Sequence, residues 1–394
     1  FCNHRVTEGL EPACVIVCPT QAIRVGDLDD PESEISLLHS SGTGSVRSPE
    51  QNTNPGVIYR NANLTSLDPL ASSIRSDGMI WSDTIDSHPS ATPVSLAAAP
   101  NRADGHDMGR TVYTTMHPAT WGSMVSGYLV TKAVAAGVML MATLLVLMGH
   151  GGNQAAVGVV PPMVAGAFLA ATGALLVGDL KQPGRFHYLI TRGNWSSWLV
   201  KGAYVLTGFA ATLAAWLVAG LAGAGGSLPV LAVPTVALAL GTAGYTAFLF
   251  GQCEGRDLWQ EPLLLPVLLT QAVVAGGATY SVLDLFMAVP EVEAVRWVFL
   301  VALALNGFLV ATEVRGGHSR NVTMALAELT HGDQGQKFRT WLALGLALPC
   351  LLLIAALLTG SSALVAALAG LSAMAGMFAY EDAYVRAGQS VPLS

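Results

Sequence analysis

Residues 122–148 read GSMVSGYLVTKAVAAGVMLMATLLVLM, twenty-seven residues with a single charge, Lys132. As an α-helix this run is about 40 Å long at roughly 1.5 Å per residue, enough to cross about 30 Å of hydrocarbon. The pattern repeats toward the C-terminus. Apolar stretches at 158–178, 197–220, 230–251, 262–283, 297–313, 338–359 and 362–380 bring the expected spans to eight. The sixth, with seventeen residues, is near the lower limit for a span. The last two are divided only by Thr359-Gly360-Ser361-Ser362. Ala and Gly fill these helices, which lets backbones approach where lipid supplies no hydrophobic drive. The expected fold is an all-α membrane protein.

Composition agrees. The 394 residues are 52% hydrophobic and 11% charged, where soluble domains run near 25% charged. Residues 1–120 hold 7 Lys/Arg against 14 Asp/Glu, and residues 121–394 hold 12 against 12, so the whole net charge of −7 sits on the N-terminal part. That excludes nucleic acid and anionic lipid surfaces as its partners, since both demand a basic face. An even number of spans puts both termini on one side. Loops on that side and the C-terminal tail carry Lys181, Arg185, Arg192, Lys201, Arg256, Arg315, Arg320, Lys337, Arg339 and Arg386, against Arg296 alone on the other. By the positive-inside bias, the N-terminal head faces the cytoplasm.

Before the spans, residues 1–39 form a short cysteine-bearing segment. Residues 40–120 are an irregular linker rich in Ser, Thr, Asn, Pro and Asp, broken by a strand-like run at 56–60. The chain opens on Phe1 without a signal-peptide pattern and reads as a fragment. Cys2, Cys14 and Cys18 fall within the first eighteen residues in the spacing Cys-x11-Cys-x3-Cys-Pro, while Cys253 and Cys350 stand apart as free thiols. An odd count without paired spacing makes a poor disulfide framework. Clustered soft thiolates select iron–sulfur or zinc. Cys14-x3-Cys18 would also serve as half of a zinc pair, but Pro19 directly after Cys18 favours the ferredoxin pattern.

At this point a resemblance enters. Phe1-Cys2-Asn3-His4-Arg5-Val6, Glu11-Pro12-Ala13-Cys14, Cys18-Pro19-Thr20-Gln21-Ala22-Ile23 and Gly26-Asp27-Leu28-Asp29-Asp30-Pro31 resemble the end of a dicluster ferredoxin-type subunit of molybdopterin oxidoreductases. The resemblance implies that Cys2 and Cys14 ligate one 4Fe–4S cluster and Cys18 a neighbouring one, with the other ligands upstream of Phe1. The spans resemble the NrfD-like, polysulfide reductase type of quinone-reactive subunit. Trp121 to Gly137 and Gly178-Asp179-Leu180, with Pro183, Arg185 and Phe186, carry that likeness. Some members of that family are fused head to bundle.

Haem b between helices needs imidazoles within the spans. The nine histidines (His4, His39, His88, His106, His117, His150, His187, His318 and His331) all fall outside the middle of the expected helices. Haem is therefore not expected, and electrons would pass directly between clusters and quinone or menaquinone.

A quinone headgroup calls for polar groups at the head-side helix ends. Tyr128, Asp179, His187, Tyr245, Gln252 and Glu254 fall there. For Tyr128 and Tyr245 the competing role is an interfacial aromatic belt, and for His187 that of an ordinary loop residue. By resemblance, Tyr128 matches a quinone-contacting position usually held by His. His4 is expected to pack near a cluster. Intramembrane charge is expensive, so Lys132, Asp179 and Glu313 are candidates for a proton path. The alternative for Lys132 is snorkelling or pairing with a structural carboxylate, and for Asp179 a head-side cap or a salt bridge with Arg185. Asp284 reads as plain interface. Gln271 and Asn306 are candidate deeper members of a path from Lys132.

The sequence thus reads as the electron-transfer and membrane-anchor subunit of a respiratory oxidoreductase in a bacterial inner membrane. Its expected partners are a molybdopterin-type catalytic subunit, a further iron–sulfur subunit, membrane lipid and quinone. Two rivals stand beside it: a redox-coupled proton-translocating subunit, and a non-redox anchor or transporter with a zinc-stabilised head.

Overall fold

A computed structural model of the chain describes residues 2–63, 67, 120–317, 319–360 and 363–391. Most of the expected linker lies outside the described residues. Among the described residues, eight helices are long and apolar enough to cross a membrane. They are α1 (Ser123–His150), α2 (Gln154–Asp179), α3 (Trp198–Leu221), α4 (Gly225–Gly251), α5 (Leu264–Leu283), α6 (Val292–Arg315), α7 (Gly335–Thr359) and α8 (Ala363–Ser390). The count matches the eight apolar stretches, and the chain is an all-α, multi-pass membrane protein.

Burial decides which helix is central. In the most apolar window of α1, 78% of the residues are buried, against 22% for α2 and for α7. Accordingly α1 packs on α2, α4, α5 and α8, and the outer helices turn Leu, Val and Phe side chains outward. Small residues make the contact of α1 with α5 close. A Cβ on Gly137 would stand 1.9 Å from the Ala272 carbonyl oxygen, and one on Gly276 would stand 2.2 Å from the Gly137 oxygen. Backbones meet here at a distance that any larger residue forbids.

The sixth and eighth helices extend furthest beyond the expected stretches, and in both cases charges are paired in the added turns. The sixth begins at Val292 rather than 297 because Arg296, nearly buried, donates to Asp284 Oδ2 at 3.0 Å. Asp284 is therefore a paired carboxylate at the α5–α6 connection. The eighth continues past residue 380 to Ser390 and draws Glu381, Asp382 and Arg386 into the helix. Asp382 accepts from Ser126 Oγ of α1 at 3.1 Å, Lys337 Nζ of α7 at 2.6 Å and Arg386 Nε of its own helix at 2.9 Å. A hydropathy window rejects such residues one by one, but paired they extend the helix. An amphipathic helix, Arg320–Thr330, lies between α6 and α7 and buries Val322, Ala325, Leu326 and Leu329.

By backbone contacts the chain forms two compact units. Residues 1–23 belong with 113–394, and residues 24–112 form the other. Within the second unit, Glu34–Ser40 is a helix capped by the Ser33 hydroxyl, which accepts from Ser36 N–H at 3.1 Å. The strand-like run expected at 56–60 is a strand over Tyr59–Arg60, antiparallel to Gly44–Ser45 with Gly44 opposite Arg60.

Candidate functional site

The cysteine segment is built of two short helices, Asn3–Val6 and Ala13–Val17. Cys18 is the residue that closes the second of them. Pro19 follows and favours termination, because it cannot continue the helix. Cys18 is buried, Cys2 half-buried and Cys14 exposed, and none of the three is in a disulfide. Ala22 N–H donates to Cys18 Sγ at 3.1 Å. Such a donor suits a thiolate that ligates a cluster, since hydrogen bonds to sulfur are among the levers that tune iron–sulfur centres. Among the described residues, no three of His, Cys, Asp and Glu converge on a point that could hold a metal ion. The donor chemistry therefore fits a cluster, but the described residues do not complete one. His4 is exposed on the first short helix.

One loop fastens this segment to the bundle. Between α2 and α3, Asn194 donates its backbone N–H to the Pro19 carbonyl at 2.8 Å. Its side-chain amide donates to the carbonyls of Cys18 at 3.0 Å and Ile16 at 3.4 Å. Ser197 Oγ adds a bond to the Val17 carbonyl at 3.3 Å. On the other flank Arg5 forms an ion pair with Glu254. The cysteine segment therefore sits at the helix ends that bear Asp179, Trp198 and Gly251.

At those same ends a cavity of about 350 Å³ opens among α1, α2, α3, α4 and the α2–α3 loop. Its wall is apolar, with Trp121, Phe186, Leu189 and Ile190 near the cysteine side. Among the lining residues, Tyr128, Asp179, Thr207 and Tyr245 bear hydroxyl or carboxylate groups. A mostly apolar hollow with a few convergent polar groups is the usual form of a small-molecule site. Trp121 is held from behind by Gln389. Trp121 N–H donates to the Gln389 Oε1 at 2.9 Å, and Gln389 Nε2 donates to the Trp121 carbonyl at 2.8 Å. The Trp121 indole stacks on Trp259 with centroids 4.8 Å apart.

Three of the six sequence candidates for quinone contact thus meet in one cavity, and three lie elsewhere. Gln252 accepts from Trp198 N–H at 2.8 Å and donates to the Ser196 carbonyl at 2.9 Å, so it staples α4 to the start of α3. Glu254 is committed to Arg5. His187 is exposed, with Nδ1 3.1 Å from the Gly184 carbonyl, one residue from the cavity-lining Phe186. Asp179 makes no ion pair with Arg185 among the described residues, and Lys181 is its cationic neighbour.

Behind the cavity lies a polar cluster. Lys132, 1% exposed, donates to the Ala243 carbonyl at 3.0 Å and to Thr246 Oγ1, with Nζ 4.9 Å from the Tyr245 ring centre. The Tyr128 and Tyr245 phenols are neighbours of the same Thr246 side chain. Lys132 also acts on Glu381 of α8, and so does the amide of Gln271. Asn306 is not part of this group; it donates to Thr270 Oγ1 at 3.0 Å. Glu313 is buried farther along, 3.4 Å from the Tyr384 hydroxyl. The sequence reading missed Glu381 because its apolar window stopped at residue 380. It also missed Thr246 and Asn194, for which no sequence signal stands out.

The protein carries likenesses of two kinds. It is 48% identical over 59 residues to the arsenate respiratory reductase iron–sulfur subunit ArrB of Shewanella sp. (strain ANA-3), covering 15% of this sequence and 25% of that protein. It is 39% identical over 72 residues, 18% and 28% of the two sequences, to a putative iron–sulfur subunit of the dimethyl sulfoxide reductase of Halobacterium salinarum. To a polysulfide reductase component of Wolinella succinogenes it is 50% identical over 42 residues, 10% and 22% of the two sequences. The chain thus spans about a quarter of the length of these curated relatives. The second likeness is far broader, since residues 111–392 match the family described as Polysulphide reductase, NrfD. With most of its length and all eight apolar helices inside that match, the chain belongs to the NrfD polysulphide reductase family.

Proposed function

We propose that this chain is the electron-transfer and membrane-anchor subunit of a respiratory oxidoreductase, exchanging electrons between 4Fe–4S clusters and a quinone or menaquinone held in the α1–α4 cavity. One observation carries the proposal. The cavity that gathers Tyr128, Asp179 and Tyr245 shares the α2–α3 loop with the residues that grip Cys18. Asn194 binds the Cys18 carbonyl while Phe186, Leu189 and Ile190 of the same loop line the cavity. A cluster, when bound, supplies one-electron transfer at a potential set by its ligands and hydrogen bonds. Cys2 and Cys14 would ligate one such cluster and Cys18 its neighbour, with the remaining ligands supplied from outside the described residues.

The chain's own residues then bind and orient the quinone. The phenols of Tyr128 and Tyr245 donate to its oxygens, and the Asp179 carboxylate accepts from the reduced hydroxyl form. The apolar wall, with Trp121 and Phe186, holds the ring and excludes water. The relatives named as parts of arsenate, dimethyl sulfoxide and polysulfide reductases support a molybdopterin-type catalytic partner carrying the substrate chemistry. The Lys/Arg bias of the head-side loops supports a bacterial inner membrane location with the cysteine segment on the cytoplasmic side.

The test uses complex-containing membranes. Menadiol is expected to reduce the clusters, followed by EPR, and the quinone analogue HOQNO to block that reduction. Tyr128→Phe combined with Asp179→Asn should weaken HOQNO binding and slow the reduction about tenfold or more, in line with the loss of hydrogen bonds to a charged or reacting group. Wild-type binding and rate in the double variant would overturn the assignment.

A further inference from the structure

Glu381 is 3% exposed in the middle of an eight-helix bundle, a place where a carboxylate is costly unless it is paired or protonated. Its pairing is incomplete. Among the described residues Lys132 is the cation that acts on it, yet no ion pair closes between the two. Lys132 instead directs its ammonium to the Ala243 carbonyl and Thr246 of α4. Glu381 Oε1 and the Gln271 Nε2 beside it are both buried without a hydrogen-bond partner, as is the Tyr380 hydroxyl. A purely structural pair gains most by closing to contact, because each unmatched buried polar atom costs about 1–3 kcal/mol. Here the polar atoms stay unmatched next to a charge, which leaves a carboxylate oxygen available to take up a proton.

Position agrees with that role. Lys132 lies nine residues into α1 from Ser123, and Glu381 nine residues from the end of α8 at Ser390, so both stand about 14 Å from the head-side helix ends. The link outward runs through Lys132, which donates to Thr246 and lies with Nζ 4.9 Å from the ring centre of the cavity-lining Tyr245. The titratable neighbours of Glu381 are Lys132 and Tyr128 on α1 and Tyr380 and Tyr384 on its own helix, with the Gln271 amide from α5. Glu313 of α6 acts on the two tyrosines.

We propose that Glu381 is the internal proton-exchanging residue of the quinone reaction, linked to the cavity through Lys132 and Thr246. This rests on the cavity being a quinone site. When a hydroquinone is oxidised there, two O–H bonds break and two electrons pass singly to iron–sulfur acceptors. For one proton, a Lys132 N–H bond breaks as an O–H bond forms on the Glu381 carboxylate, and the Lys132 amine is reprotonated from the hydroquinone by way of Tyr245 and Thr246. The other goes to the Asp179 carboxylate at the cavity wall. Quinone reduction runs the same steps backward, with both carboxyl O–H bonds broken.

The experiment compares wild-type complex with Glu381→Gln, Glu381→Asp and Lys132→Met in native membranes. Two readouts are used: HOQNO binding, and menadiol-driven cluster reduction across pH. Glu381→Gln should bind HOQNO within about twofold of wild type, because it is not in the cavity wall. It should turn over about 10²-fold more slowly with a flattened pH profile, the scale of a lost acid–base group. Glu381→Asp should recover part of the rate. A Glu381→Gln complex with wild-type rate and pH profile would overturn the proposal. Absence of HOQNO binding to the wild type would overturn the quinone site itself, and this relay with it. Should Glu381→Gln fail to assemble, redox-difference infrared spectra of the wild type decide. A carboxyl signal that shifts in D2O and moves in Glu381→Asp supports the assignment, and its absence overturns it.

Discussion

Asn194 donates its side-chain amide to the Cys18 carbonyl at 3.0 Å and its backbone N–H to the next carbonyl, that of Pro19, at 2.8 Å. Asn194 is nearly buried, and its own Oδ1 accepts from Ser196 N–H at 3.0 Å, so the amide is fully used. The grip fixes the cysteine turn to a loop whose earlier residues, Phe186, Leu189 and Ile190, are cavity wall. Cysteine position and cavity shape therefore depend on one eighteen-residue connection, Leu180 to Ser197.

Replacing Asn194 with Ala leaves the carbonyls of Cys18 and Ile16 without their donor, a loss of about 1–3 kcal/mol for buried acceptors. The eight helices do not depend on this bond, so membrane content of the chain should hold. Iron per complex and the rate of cluster reduction by menadiol should both fall. Asn194→Asp should be worse than Ala, because a carboxylate repels the same carbonyl oxygens it cannot donate to. Wild-type iron content in both variants would show that the grip is dispensable.

Gly202 makes room for Tyr245. A Cβ there would stand 2.4 Å from the ring's Cε2 and 2.5 Å from Cδ2. Gly202→Ala must therefore displace the phenol that lines the cavity, at a cost of about 1–3 kcal/mol for overpacking. HOQNO affinity should fall by about tenfold in titrations of purified complex, the equivalent of about 1.4 kcal/mol. A combined Gly202→Ala and Tyr245→Leu variant should show normal stability, since the smaller ring-free side chain removes the clash.

How much of this was legible follows from the range of each interaction. The eight spans were visible because length and apolarity are local, and residues 122–148 alone announce a membrane helix. Tyr128, Asp179 and Tyr245 were found because each sits near a helix end, which a count of residues locates. Gln252 and Glu254 met the same criterion, but their partners, Trp198, Ser196 and Arg5, come from distant parts of the chain. Glu381 and Asp382 were lost for the opposite reason. A window average treats two adjacent carboxylates as the end of a span, and only Lys132, Ser126 and Lys337 on other helices make them tolerable inside one.

Asp382 tests that last point. Its two oxygens join α1, α7 and α8 through Ser126, Lys337 and Arg386. Lys337 and Arg386 are each over a third exposed, so their share is screened, and the buried Ser126 bond weighs more. Asp382→Ala should lower the thermal midpoint of the detergent-solubilised complex, with a loss of about 1–3 kcal/mol from the unpaired hydroxyl and cations. HOQNO affinity of the surviving complex should be unchanged, because Asp382 is not in the cavity wall. A drop in affinity without a drop in midpoint would place Asp382 in the site instead of the scaffold.

Cys253 and Cys14 both stand outside any disulfide, and they should respond to reagents in opposite ways. Burial pushes the Cys253 thiol up to about 11, a shift that nearby Arg256 only partly offsets, and its sulfur leans on the Leu249 carbonyl at 3.9 Å. The thiolate is the reactive form, so a raised value means that very little of Cys253 reacts at neutral pH. Maleimide labelling, followed by peptide mass spectrometry, should be slow at pH 7 and rise about tenfold per pH unit until the pH approaches about 11. Arg256→Ala removes a cation that favours the thiolate and should slow labelling further at every pH below that point. Cys14 is exposed, so coordination is what would protect it. It should resist maleimide in the intact complex and become labelled once iron is chelated, while Cys253 stays unlabelled at pH 7 before and after chelation. Labelling of Cys14 at full rate before chelation would remove it from the set of cluster ligands.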